Sequence, residues 1–224
     1  MHTQNAISQK HTTAIQVLDA LKDGNIRFVK NRQLERNLFQ QMTETAAGQW
    51  PVAAIVSCMD SRTAAELIFD QGLGDIFSIR LAGAVITDNV LGSLEYACKV
   101  AGAKLIVVLG HSHCGAVKGA CDAVELGNLT ALLSKITPSV YQENTISEDR
   151  TSHNHAFVDA VTQLHTERSV QAVMEQSNIL RSMILQGEVG IIGAHYNVEN
   201  GQVTFLENTC YIDITKSSSA NSAA

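Results

Sequence analysis

Two uninterrupted apolar runs constrain this chain more than any other feature: Val52-Ala53-Ala54-Ile55-Val56-Ser57, and residues 104–109, which contain Leu105-Ile106-Val107-Val108-Leu109. Neither alternates polar with apolar side chains, as a strand with one wet face would, so both fit short strands covered on two sides. Between them, residues 87–101 read as a helix with Leu91, Leu94 and Ala97-Cys98 on the inner face and Gly102 at its end. Strand, helix and strand in that order imply a right-handed parallel crossover, which brings the ends of both runs to the same edge of one sheet.

The remaining elements extend that plan. Residues 63–70 read as a short helix closed by a turn at Gly72 and Gly74, and residues 76–80 as the second strand. Residues 115–126 and 129–136 have helical character, Pro138 breaks the pattern, and the polar stretch 139–155 reads as a surface loop before a long helix over 156–176. Residues 189–194 form another buried strand, and an Asn-Gly turn at Gly201 leads into 203–207 as a terminal hairpin. Ahead of all this, residues 12–31 place Ile15, Leu18, Leu21 and Phe28 at helical spacing behind Thr12 or Thr13 as N-cap; this face has either its own domain or a neighbouring subunit to pack on. The expectation is an α/β fold in a single domain: a mainly parallel central sheet flanked by helices, with a C-terminal hairpin strand. A helical arm over 1–48, a catalytic domain over 49–215 and a disordered Ser/Ala-rich tail over 216–224 complete the division.

Composition narrows the partners. A total of 16 Lys and Arg against 22 Asp and Glu, a formal charge of -6, lacks the basic excess of a nucleic-acid binder. No apolar run approaches the ~20 residues of a membrane-spanning helix, so no membrane is expected. Five cysteines, an odd number, together with a polar start over 1–11 and no apolar signal core, point to a reducing, cytoplasmic location.

The chemistry sits where the two apolar runs end. Cys58-Met59-Asp60-Ser61-Arg62 follows the first, and Gly110-His111-Ser112-His113-Cys114-Gly115 follows the second. In an open parallel sheet, ligands collect outside the carboxyl ends of the strands, so Cys58, His111 and Cys114 converge on one soft-to-borderline cation, which points to zinc. One metal is not expected to take both His111 and His113: His111 has the ligand spacing with Cys114, which leaves His113 at the rim. Cys98 and Cys121 read as packing residues, Cys210 as a free thiol, and His153, His155 and His165 as members of a solvated loop and helix.

Cys-x-Asp-Ser-Arg followed by Gly-His-Ser-x-Cys-Gly resembles the β-class carbonic anhydrases, over residues 49–207 and including Ser93-Leu94-Glu95-Tyr96-Ala97 and Gly193-Ala194-His195-Tyr196. The resemblance implies Cys58, His111 and Cys114 as zinc ligands, and Asp60 and Arg62 as a catalytic dyad, with Asp60 joining the metal only in a closed state. It implies Gln49, Phe77 and Tyr96 as walls of the substrate pocket, and Gly115 as the glycine whose amide faces it. A homodimer or dimer of dimers follows by the same resemblance, with the helix over 12–31 reaching to the partner. The chain departs from the family at Ala82-Gly83-Ala84, where Ala-Gly-Asn is frequent, and at Ile55, where a bicarbonate-regulated subgroup carries Trp.

The expected reaction is reversible hydration of carbon dioxide to bicarbonate and a proton, by attack of zinc-bound hydroxide. Three protein ligands leave one position open, and zinc brings the pKa of bound water from 15.7 toward about 7. Two thiolates nearly cancel the zinc charge, which puts the optimum on the alkaline side. The alternatives are hydrolysis of carbonyl sulfide or carbon disulfide on the same scaffold, and a structural zinc in a non-catalytic protein with Asp60 as fourth ligand. Arg62 argues against the last, because a partner that draws Asp60 off the metal serves no purpose in a permanently closed site.

Overall fold

The computed structural model describes residues 4–213, so the tail expected over 216–224 lies outside the described residues. Among these residues five strands, β1 (Ala53–Ser57), β2 (Ile76–Arg80), β3 (Leu105–His111), β4 (Gly190–Tyr196) and β5 (Val203–Tyr211), form one sheet in the order β2-β1-β3-β4-β5. The first four are parallel; β5 turns back antiparallel on β4 through the expected hairpin, and runs on to Tyr211 past the expected end. The chain proceeds from β1 outward to β2 and then returns to the other side of β1 for β3. That reversal opens a crevice beyond the carboxyl ends of β1 and β3.

Among the described residues ten α-helices surround the sheet: α1 (Ala6–His11), α2 (Ala14–Val29), α3 (Leu38–Thr45), α4 (Ala65–Ile68), α5 (Asp88–Glu95), α6 (Gly115–Cys121), α7 (Gly127–Leu133), α8 (Thr137–Gln142), α9 (His155–Gln176) and α10 (Asn178–Leu185). Side-chain alternation along the strands explains the two layers. Ala54, Val56, Ile106 and Val108 face α5, α9 and α10, packing on Leu91, Leu94, Val170, Val173 and Leu180. Ala53, Ile55, Leu105 and Val107 face the other way, onto Val17, Leu18 and Leu21 of α2 and Ile68 of α4. Both faces are sealed, and this is why β1 and β3 carry no polar alternation.

Of the two placements open to the early amphipathic helix, this structure has α2 on its own sheet, capped by Thr13, whose hydroxyl accepts from the Gln16 amide. Burying Val17, Leu18 and Leu21 contributes about 1.5–3 kcal/mol each. Apolar side chains are left outward at the end of α2, at Ile26 and Val29, and on the flanking helices, at Ile7 of α1 and at Leu38, Phe39 and Met42 of α3, of which Phe39 is 75% exposed.

Several expected elements change in extent. Pro138 does not break a helix but sits in the first turn of α8, where its missing N–H costs no hydrogen bond. The expected surface loop over 139–155 is therefore partly helical, and its remainder is anchored by buried Glu143, which accepts from the Thr145 and Ile146 amides and from Arg150. The helix over 115–126 stops at Cys121, that over 129–136 becomes Gly127–Leu133, and that over 63–70 shrinks to the single turn of α4. After Glu95 the chain widens into a π-helical turn, Tyr96–Val100, which buries Ala97 and Cys98 as the spacing implied.

Candidate metal centre

Cys58 is the first residue beyond β1, His111 the last of β3, and Cys114 the N-cap of α6. β1 and β3 pair in register, Ser57 beside Leu109, so the two motifs meet at the crevice. The sulfurs of Cys58 and Cys114 and the His111 ring bring their ligand atoms within 4.8 Å of one another. All three are buried, and behind them lies an apolar cluster of Val85, Val117, Ile136, Phe157 and Val161.

The imidazole is set for a cation. Its Nδ1 lies 2.9 Å from the Ser112 carbonyl, which can only accept, so Nδ1 carries the proton and the lone pair is on Nε2. That Nε2 is buried and, among the described residues, has no hydrogen-bond partner. A buried lone pair without a donor costs free energy unless a metal takes it. Two sulfurs and one such nitrogen, converging and shielded, match a zinc donor set.

The thiols are 4.0 Å apart and share one charge unevenly. Cys58 is pulled down to about 4, first by the Cys114 thiol and then by His111 and the amides of Asp60 and Gly83, against the cost of burial. The charge on Cys58, with burial, drives Cys114 upward. The Asp60 N–H approaches Cys58 Sγ at 3.4 Å and the Gly83 N–H at 3.3 Å.

Asp60 does not belong to the three-atom cluster here; it is held by Arg62. The guanidinium gives Nε to Oδ1 at 2.9 Å and Nη2 to Oδ2 at 2.8 Å, and the Arg62 amide adds a third bond to Oδ1 at 3.0 Å. Those bonds, above all the side-chain pair, hold the Asp60 carboxyl well below the usual carboxylate range. The carboxylate is drawn to Arg62 and stands outside the three-atom cluster.

Two residues the motifs did not single out pin this loop. Thr63, fully buried, donates its hydroxyl toward the carbonyls of Cys58 (2.8 Å) and Asp60 (2.9 Å), and Arg80 at the end of β2 reaches the same two carbonyls. Thr63 does have a local signal, a hydroxyl three residues past an Asp in a turn, whereas Arg80 becomes legible only once β2 is placed beside β1. His165 was assigned to a solvated helix, and this is corrected: it is 6% exposed, and its Nε2 lies 2.9 Å from the Gly83 carbonyl behind Cys58. His113 takes the rim position, at a left-handed φ of 57°, with Nε2 3.0 Å from Glu199.

The expected pocket walls are not gathered at this chain's own cluster. Phe77 pairs with Ala54 near the start of β1, four residues before Cys58, and its ring meets Tyr96 edge-on at 6.2 Å. Those two rings line a separate surface groove with Ile79, Gly92 and Ser93, while Gln49 is exposed ahead of β1. The physical reason is register: strands are extended, so four residues of β1 separate Phe77 from the metal edge by about 13 Å. Gly115 does open onto the crevice rim, where an added Cβ would meet nothing within 4 Å.

The carbonic anhydrase family model matches residues 53–203, a span that runs from β1 into β5 and contains every residue of the cluster. The chain belongs to the β-class carbonic anhydrases. It is 39% identical over 204 residues to "Carbonic anhydrase 2" of Mycobacterium tuberculosis, covering 88% of this chain and 95% of that one. It is 37% identical over 190 residues to "Carbonic anhydrase" of Mycolicibacterium smegmatis, covering 82% and 89%. Among solved structures, the β-carbonic anhydrase CafA of Aspergillus fumigatus superposes with a TM-score of 0.67 at 23% identity, over 91% of this chain and 94% of that one. A tetrameric β-carbonic anhydrase from Sordaria macrospora gives 0.66 at 23%, over 75% and 90%. These two likenesses show the shared α/β architecture. Among the described residues, no helix is long and apolar enough to cross a membrane.

Proposed function

We propose that this enzyme hydrates carbon dioxide reversibly to bicarbonate and a proton, with one zinc held by Cys58, His111 and Cys114. The observation that carries the reading is the partnerless, buried Nε2 of His111 facing two sulfurs, beside a carboxylate that Arg62 draws to itself. When bound, zinc makes hydroxide available near neutrality by lowering the pKa of coordinated water. Asp60, ionised and fixed by Arg62, is an acceptor that can hold an attacking oxygen's hydrogen and so orient the lone pair toward carbon. The Gly115 end of α6 offers an amide to an anionic product at the crevice rim.

Carbon dioxide has little to grip, so apolar walls suffice. Phe77, Tyr96 and Gln49 are turned from their own cluster, and in this reading they wall the crevice of a neighbouring copy. The outward Leu38, Phe39 and Met42 of α3 give such a neighbour an apolar seat. A homodimer, or a dimer of dimers, is the assembly proposed.

Stopped-flow hydration of carbon dioxide by zinc-loaded protein, run beside carbonyl sulfide and carbon disulfide, tests the reading. Turnover of carbon dioxide far above that of the sulfur analogues is expected; the reverse order assigns the site to the analogues.

A further inference from the structure

His165 is an unusual residue to bury. It sits on the inner face of α9 between Val161 and Ser169, and its burial drives the imidazole pKa down to about 4, which leaves the ring neutral. Its partner is the Gly83 carbonyl, which can only accept, so the proton is on Nε2 and the tautomer is fixed. Two threonine hydroxyls of α9 that line the same cavity bond within the helix: Thr162 donates to Val158 O at 2.8 Å and Thr166 to Thr162 O at 2.9 Å. The cavity shared by His165, Gly83, Cys58, His111 and Cys114 measures about 10 Å³, room for one water at most.

Gly83 is held on both sides. Its N–H points to Cys58 Sγ at 3.3 Å and its carbonyl takes the His165 bond, so the peptide planes before and after its Cα are each anchored. Its φ of 67° is followed by 51° at Ala84, two consecutive residues in the left-handed region, and the second is not glycine. Such a turn persists only where its surroundings over-determine it. His165 is the polar anchor of that turn, reaching it from a helix 82 residues along the chain.

We infer that His165 is a positioning residue for the metal centre: by pinning the Gly83 carbonyl it holds the Gly83 amide on Cys58 Sγ and thereby sets the donor strength of that sulfur. The inference rests on the reading of Cys58 as a metal ligand. An N–H bond withdraws electron density from a thiolate, and partners one step removed from a metal ligand typically change metal affinity 10–100-fold when lost.

The test uses the full chain loaded with zinc or cobalt(II). His165→Leu and His165→Asn remove the bond, the second because its amide is one bond too short to reach, while His165→Gln keeps a donor at the right distance. Because the turn that positions Cys58 loses its anchor, chelator competition should give roughly 10-fold weaker zinc binding in the Leu and Asn variants and near-normal binding in Gln. The sulfur-to-cobalt charge-transfer band should move to lower energy in Leu and Asn and return in Gln, a shift that a packing role alone does not produce. If His165→Leu does not fold, the comparison of Asn with Gln decides. Equal affinity and an unmoved band in Asn and Gln overturn the inference, as does a uniform loss in all variants without a band shift. Wild-type protein that binds neither metal at Cys58 overturns instead the ligand reading on which it stands.

Discussion

Arg62 grips Asp60 with two parallel bonds of 2.9 and 2.8 Å, two residues from Cys58 and outside the cluster of Cys58, His111 and Cys114. A planar fork can do this and an ammonium cannot. Arg62→Lys should therefore keep zinc, by metal analysis of the purified protein, yet lose about 10-fold or more in carbon dioxide hydration. Asp60→Asn should retain the metal and lose more, about 100-fold, because the acceptor itself is gone. Hydration within twofold of wild type in both variants would show that the pair does not govern the site.

A second carboxylate pair bears on stability. Asp70 is 2% exposed; burial alone would raise its pKa, but Arg27, at 2.5 Å, Arg36 and the Leu34 amide together bring it below the usual value. A depressed carboxylate stabilises the fold above its unfolded pKa of about 3.9, and that contribution is lost as pH falls through the folded value. Asp70→Asn should lower the unfolding free energy obtained from urea titration at pH 7 by about 3–5 kcal/mol, because Arg36 is left buried without its counter-charge. The gap between variant and wild type should narrow as the medium is acidified below about pH 4. A gap that holds constant with pH contradicts the assignment.

Ala84 occupies a left-handed φ of 51° in a buried turn, a conformation that costs a residue with a Cβ about 1–2 kcal/mol. Replacing it with glycine removes that strain and adds back some unfolded-chain entropy. Ala84→Gly should therefore be neutral to about 1 kcal/mol stabilising in chemical denaturation. A loss beyond 1 kcal/mol would mean that the methyl packs better than its backbone suffers.

Because α2 covers the lower sheet face, Leu21→Ala should cost about 2–5 kcal/mol, more than any substitution at exposed Phe39. Thermal unfolding of the two variants measures the difference. Phe39→Ser should act on assembly instead, lowering the mass seen by light scattering while leaving the melting of the protomer nearly intact. Unchanged mass removes α3 from the interface.

The strands were legible because a sheet sealed on both faces needs continuous apolar runs, and β1 and β3 have them. That Cys58, His111 and Cys114 come together was legible because the two motifs directly follow those runs. His165 was not, since its burial depends on Gly83, a partner 82 residues away whose role no local pattern encodes. Pro138 misled because the same residue that interrupts a helix interior suits a first turn. Phe77 and Tyr96 were named by resemblance alone, and no local pattern says that they line a groove apart from Cys58, His111 and Cys114. Arg80 likewise needed β2 to lie beside β1 before its reach to the Cys58 and Asp60 carbonyls had meaning.

The most direct measurement is a zinc titration of metal-stripped protein followed by stopped-flow carbon dioxide hydration, with Cys58→Ser in parallel. Activity should rise linearly and level at about one zinc per chain, as a single cluster of two sulfurs and one nitrogen requires, and the Ser variant should stay at the buffer rate. Tight uptake of one zinc with hydration no faster than buffer would contradict the account.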